Sequence, residues 1–186
     1  TFNELIAECM ISIGMCIYQR ADTFCLRSGI THVFQHVPGQ MEIKFDINLN
    51  PSTQLVVLKD IVEILDHQGI SKLVILNGHG GNDFKQMIRE IQPNYSHMLI
   101  STLSWYQVID TDDFFDEPGD HAGEMETSNM LFVAPHLVKP FSEAGDGTES
   151  RFKLEGLRQG WVWAQREWSN ATVDTGIGNP EKSKAE

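Results

Sequence analysis

Two short segments hold residue types suited to chemistry. The first is Asn77-Gly78-His79-Gly80-Gly81-Asn82. A histidine among three glycines is exposed on a tight turn and is able to coordinate a metal, because glycines let backbone come close to a ligand. The same composition also suits an anion cradle at a helix N-terminus, although the lysine of GxxxxGK[ST] and the spacing of GxGxxG are both missing. A purely structural turn is the third reading. The second segment is Asp120-His121-Ala122-Gly123-Glu124-Met125-Glu126-Thr127-Ser128. If it opens a helix, His121 and Glu124 stand three apart on one face, and such a pair can join one metal site or set a proton carrier beside a ligand. Glu126 then points elsewhere. Asp120 is placed to cap the helix, and Thr127 or Ser128 to hydrogen-bond within it. The plainer reading is a solvated acidic helix start, which the helix dipole favours.

The elements around these segments follow from periodicity. Pro51-Ser52-Thr53 starts a helix on which Leu55, Leu58, Ile61, Val62 and Leu65 recur, with Gly69 at its end. Leu73 to Leu76 is a short apolar run between turn signals, expected as a strand buried on both faces of a parallel sheet. The glycine loop follows it, at the strand end where open α/β sheets bind ligands. Phe84, Met87, Ile88 and Ile91 mark a second helix stopped before Pro93, and Met98 to Leu103 the next strand. Ala122 to Val133 is a further helix, after an acidic loop from Asp110 to Asp120. Residues 140–160 read as loop. Ala185 and Glu186 are helix formers, so a helix is expected to be still running there. Helix, strand, glycine loop, helix, strand is the alternation of an α/β fold with a mostly parallel sheet.

Taken together, NGHGGN after an apolar strand and HAGEMETS further along resemble the creatininase (creatinine amidohydrolase) family, from about Gly39 to Glu186. The helix of Ser52 to Gly69 and the turn Gly176-Ile177-Gly178-Asn179-Pro180 also look like that family's. The resemblance implies a three-layer α/β/α sandwich, a homo-oligomer, and hydrolysis of small linear or cyclic amides with one or two divalent ions such as Zn, Mn or Fe. It implies His79 and Glu124 as metal ligands and His121 as the proton carrier. Asn77, Gly80, Gly81, Asn82 and Asp120 would line the substrate site. Creatinine-cleaving members hold a glutamate ligand at the position of Gly81, so creatinine is not the expected substrate. Trp105, Trp161 and Trp163 are candidates to wall an apolar pocket for a flat substrate, or else ordinary core or interface residues.

The family's early Glu-x-His segment has no counterpart in residues 1–38, which form an atypical stretch before a single creatininase-like domain over 39–186. A misread start, a relative that binds or assembles without turnover, and replacement by Asp22, His32 or His36 each account for this. Cys16, Cys25, His32 and His36 have in part a zinc-finger spacing, but the cysteines are too far apart for the usual knuckle.

Composition narrows the classes. The chain has 186 residues, 14 Lys+Arg against 26 Asp+Glu, and a net charge of -12. That disfavours general nucleic-acid binding and suits a site that gathers cations. No apolar run is long enough to span a membrane. The start lacks the basic and cleavage regions of a signal peptide, and three cysteines without a CxxC argue against a disulfide framework. A cytoplasmic protein is expected.

Overall fold

The structure is a computed structural model that describes residues 18–20, 23–28, 49–150 and 152–185, the first two stretches as backbone. The described residues through Val108 form one compact unit and those from Ile109 another.

The first unit is built on a four-stranded sheet in the order β1 (Tyr18–Arg20), β2 (Thr23–Ser28), β3 (Lys72–Asn77) and β4 (Leu99–Ser104). β1 pairs antiparallel with β2, while β2–β3 and β3–β4 are parallel. Lys72 faces Thr23 on one side and Leu99 on the other, and Asn77 faces Ser28 and Ser104. β3 is therefore an inner strand, and every residue from Leu73 to Asn77 is buried. Its two faces are both covered, which is why it reads as a continuous apolar run and does not alternate.

Helix α1 (Pro51–His67) begins where Pro51 has the preset φ of a first helical residue and no N–H to lose. Gln54, Leu58, Val62 and Leu65 are buried at a spacing that marks one face. The helix closes in a Schellman turn. Gly69 at φ +74° donates its N–H to Asp66 (2.9 Å), and Ile70 donates to Leu65 (3.0 Å). The left-handed φ is the reason a glycine stands at 69. Ile70 and Leu65 are both buried in the core that this turn joins.

Helix α2 (Phe84–Ile91) is capped by Asp83, whose carboxylate accepts from the Lys85 N–H at 3.0 Å. It stops before Pro93 in a 3-10 turn (Gln92–Asn94). Gln92 then links helix to strand. Its amide donates to the carbonyls of Tyr95 (2.9 Å) and Met98 (2.7 Å) and accepts from the Ile100 N–H (3.2 Å). Leu58, Val62 and Leu65 of α1, Phe84, Met87 and Ile91 of α2, and Leu73, Ile75 and Ile100 of the sheet form one buried cluster. Each such side chain contributes about 1.5–3 kcal/mol by leaving water. This is an α/β fold with a parallel sheet, as the alternation predicts.

The second unit has little regular structure. Its longest helix is α3 (Glu124–Val133), followed by the one-turn helices α4 (Glu155–Arg158) and α5 (Trp168–Ala171), with 3-10 turns between. Glu124 and Ser128 of α3 and Trp168 and Ala171 of α5 are buried. The helix expected at the end is only a 3-10 turn at Pro180–Lys182, after Asn179 accepts from the Glu181 N–H and before the chain turns extended at Ser183. Ser183 and Lys184 bond instead to α3: the Ser183 hydroxyl donates to the Glu124 carbonyl, and the Lys184 N–H donates to the Ser128 hydroxyl. Among the described residues no helix is long and apolar enough to cross a membrane.

Candidate active site

In the first unit the NGHGGN loop leaves the carboxyl end of β3 and enters α2 through Asp83. Asn77, the last strand residue, is buried and organises the loop. Its side-chain oxygen accepts from the His79 N–H and from the Asn82 amide, both at 3.2 Å, and its own amide donates to the Ser104 hydroxyl on β4 (3.3 Å). The Asn82 N–H closes the turn on the His79 carbonyl (3.1 Å). Trp105, half-buried after β4, donates its indole N–H to the Gly78 carbonyl (3.4 Å) and meets Tyr106 edge-on at 5.9 Å. It thus holds the loop.

The three glycines of this loop are not needed for left-handed backbone, since none of them has a positive φ. Gly80 and Gly81 are exposed, and a Cβ on Gly80 would come to 3.4 Å of the Tyr106 hydroxyl. Their use is bareness around His79. The imidazole turns back on its own loop, with Nδ1 accepting from the Gly81 N–H at 3.0 Å. A neutral ring in this pose carries its proton on Nε2. A metal taken at Nε2 would leave the proton on Nδ1, so the Gly81 contact would have to open.

In the second unit the HAGEMETS segment departs from expectation. His121 and Glu124 do not share a helix face, because α3 starts only at Glu124 with Gly123 as its cap. His121 lies in an extended bridge with Ile177: the His121 N–H donates to the Ile177 carbonyl (3.2 Å), and the Ile177 N–H donates to that of His121 (2.7 Å). Three glycines make this possible. A Cβ on Gly119 would lie 2.9 Å from both the Gly123 Cα and the Ile177 carbonyl oxygen, and one on Gly178 2.9 Å from the Gly119 Cα. Backbone contact this close pulls the segment out of helix. Ala122 consequently sits at φ +50°, its N–H taken by the Glu126 carboxylate (2.7 Å).

The other side chains follow from this geometry. Glu124 is buried and its carboxylate accepts from the Glu117 N–H at 2.8 Å. Thr127 bonds within the segment, to the Ala122 carbonyl (3.2 Å). Asp120 does not cap α3. It pairs with Arg166 (3.0 Å), which also holds Glu149 (2.7 Å) and lies 4.1 Å over the Trp168 ring. Burial works to lower the Arg166 pKa, but the hydrogen bonds it donates to Glu149 and Asp120 outweigh this and raise it above its ordinary value. Trp168, 4% exposed, stacks against His121 with ring centroids 4.9 Å apart. Trp161 and Trp163 are 72% and 83% exposed and face solvent.

Arg166, Trp168 and Glu149 are absent from any motif, and the Gly176–Pro180 turn, noted only for its resemblance to the family, is what returns to His121. The zinc reading of Cys16, Cys25, His32 and His36, and Asp22 as a substitute ligand, fall on residues or side chains outside those described.

His79, His121 and Glu124 have the donor types that Zn, Mn or Fe take. The His121 Nδ1 atom is buried and has no hydrogen-bond partner among the described residues, which suits a nitrogen kept for a ligand or a proton. Among the described residues, however, no three His, Cys, Asp or Glu gather to hold a metal.

A parallel sheet whose histidine-bearing glycine loop sits at the carboxyl strand end is an α/β architecture, and that edge is where open α/β sheets bind ligands. The profile of the family described as "Creatininase: Creatinine amidohydrolase" matches residues 29–186, and the chain belongs to that family. The match starts upstream of Gly39, where the motifs alone had placed it. A search of curated proteins finds no match. Among solved structures, one described as "Putative creatinine amidohydrolase from Bacteroides fragilis NCTC 9343" is 45% identical with a TM-score of 0.75, over 81% of this chain. The chain spans 60% of the length of that protein.

Proposed function

We propose that the protein is a metal-dependent hydrolase of a C–N amide bond in a small nitrogenous molecule. The observation that carries this reading is the NGHGGN loop at the carboxyl end of a parallel strand, in a chain that belongs to the creatininase family over residues 29–186. His79 and Glu124 are the proposed ligands, assigned from the two motifs. A divalent ion, when bound, supplies Lewis acidity and a water of lowered pKa. The chain's own residues do the rest. Asn77 and Asn82 fix the loop on which His79 is displayed. His121 delivers the proton to the departing nitrogen, and its buried Nδ1 has no competing partner among the described residues. Trp105 braces the loop through the Gly78 carbonyl. Gly81, bare where creatinine-cleaving relatives carry a carboxylate, points to an amide other than creatinine. A homo-oligomer in the cytoplasm, acting on a small-molecule amide and neither nucleic acid nor membrane, completes the proposal.

One observation favours a second reading, a family member that binds without turnover: no three metal-ligating side chains come together among the described residues. The two readings separate in a hydrolysis assay. Creatinine, a five-membered lactam and a formamide are incubated with the zinc- or manganese-loaded chain, and the ring-opened or deformylated product is followed by mass spectrometry. The enzyme reading expects turnover of at least one amide, lost on chelation and lowered by about 10²–10⁴-fold in His121→Ala. No turnover of any of the three, or turnover indifferent to both chelation and His121→Ala, would favour binding alone.

A further inference from the structure

We infer that Trp168 and Arg166 are positioning residues for the His121 imidazole, an inference that rests on the proposed role of that ring. The backbone of His121 is fixed by its paired bonds with Ile177, but these leave the side chain free to rotate about χ1 and χ2. Trp168 removes that freedom. It is 4% exposed, so its own ring is held by packing, and it meets the imidazole at 4.9 Å with a 54° tilt. Tilted aromatic pairs at this separation are attractive beyond the area they bury.

Arg166 closes the arrangement. Its guanidinium lies 4.1 Å over the same indole, at the distance of a cation–π contact. One terminal nitrogen is held by Glu149 at 2.7 Å, and the other reaches Asp120, the residue before His121, at 3.0 Å. The contacts thus run from Asp120 to Arg166, to Trp168, to His121, and back along the chain to Asp120. Glu149 anchors the ring of contacts from outside. The imidazole is held by its face and its backbone. The common alternative, a carboxylate accepting from one ring nitrogen, orients the ring and leaves the other nitrogen for the proton. Here Nδ1 has no hydrogen-bond partner among the described residues.

The test uses the full chain labelled with ¹⁵N-histidine. The His121 ring resonances are assigned by their loss in His121→Gln, and those of His79 by their loss in His79→Gln. In the wild type His121 is expected as one sharp set displaced by the indole ring current. Trp168→Leu is expected to abolish the displacement and broaden the set, while His79 stays in place. Trp168→Phe keeps an aromatic face and is expected to restore most of the displacement. Arg166→Gln, which leaves the core residue intact, is expected to broaden His121 alone. Unchanged His121 resonances in a folded Trp168→Leu or in Arg166→Gln would overturn the inference. So would equal changes at His79 and His121, which would mark Trp168 as a general core residue. Should Trp168→Leu fail to fold, Trp168→Phe and Arg166→Gln decide it by the same criteria. If His121 moves as expected while His121→Gln leaves amide hydrolysis unchanged, the positioning stands and the proton-carrier role falls.

Discussion

Asn77 shows how one polar side chain can set the geometry of a site. It is 5% exposed, yet its amide satisfies His79, Asn82 and Ser104 at once. Replacing it with leucine would keep its branched shape but leave the His79 N–H and the Asn82 amide without this acceptor. The expected cost is about 1–3 kcal/mol in a denaturant melt, with His79 no longer held by the loop. A melt unchanged from wild type would show that water replaces Asn77 at no cost. At this scale the sequence was most legible where residues were close together in the chain. His79 and its neighbours sit in six consecutive positions, and His121 and Glu124 in four. Arg166 could not be found that way. It is 46 residues from Asp120, and an arginine beside a glutamate has no local signature. Trp168 was hidden among neighbouring tryptophans, of which Trp161 and Trp163 are exposed.

Elements with strong local signals appear where periodicity places them. α1 starts at Pro51 and ends in a turn that needs glycine at 69, and β3 is apolar throughout because it is paired on both sides. α3 is the exception. Its side-chain spacing allowed a start at Ala122, but the close approach of Gly119, Gly123 and Gly178 takes His121 into an extended bridge. Such an approach joins segments far apart in sequence, so no local pattern announces it. Gly119→Ala is a direct check. A methyl group there meets backbone at 2.9 Å, and the φ of +77° is itself unfavourable for alanine. We expect a loss of about 1–3 kcal/mol, read by thermal melting. Ser52→Ala, on the exposed first turn of α1, serves as a control expected within about 0.5 kcal/mol of wild type. Equal melting of the two variants would mean that the Gly119 contact is soft.

For the whole molecule, the α/β class and the family were legible because two motifs fall in order on a strand–loop–helix frame. The division into units at Val108–Ile109 was not, since no linker composition marks it. An acidic chain of net charge -12 with histidine and buried carboxylate in its two motifs is suited to attract a divalent cation. Metal dependence is the central claim, and elemental mass spectrometry of the purified chain tests it most directly, with His79→Ala and Glu124→Ala beside the wild type. The account predicts about one or more divalent ions per wild-type chain and a marked loss in each variant. No divalent ion in the wild type, or equal metal content in all three proteins, would contradict it.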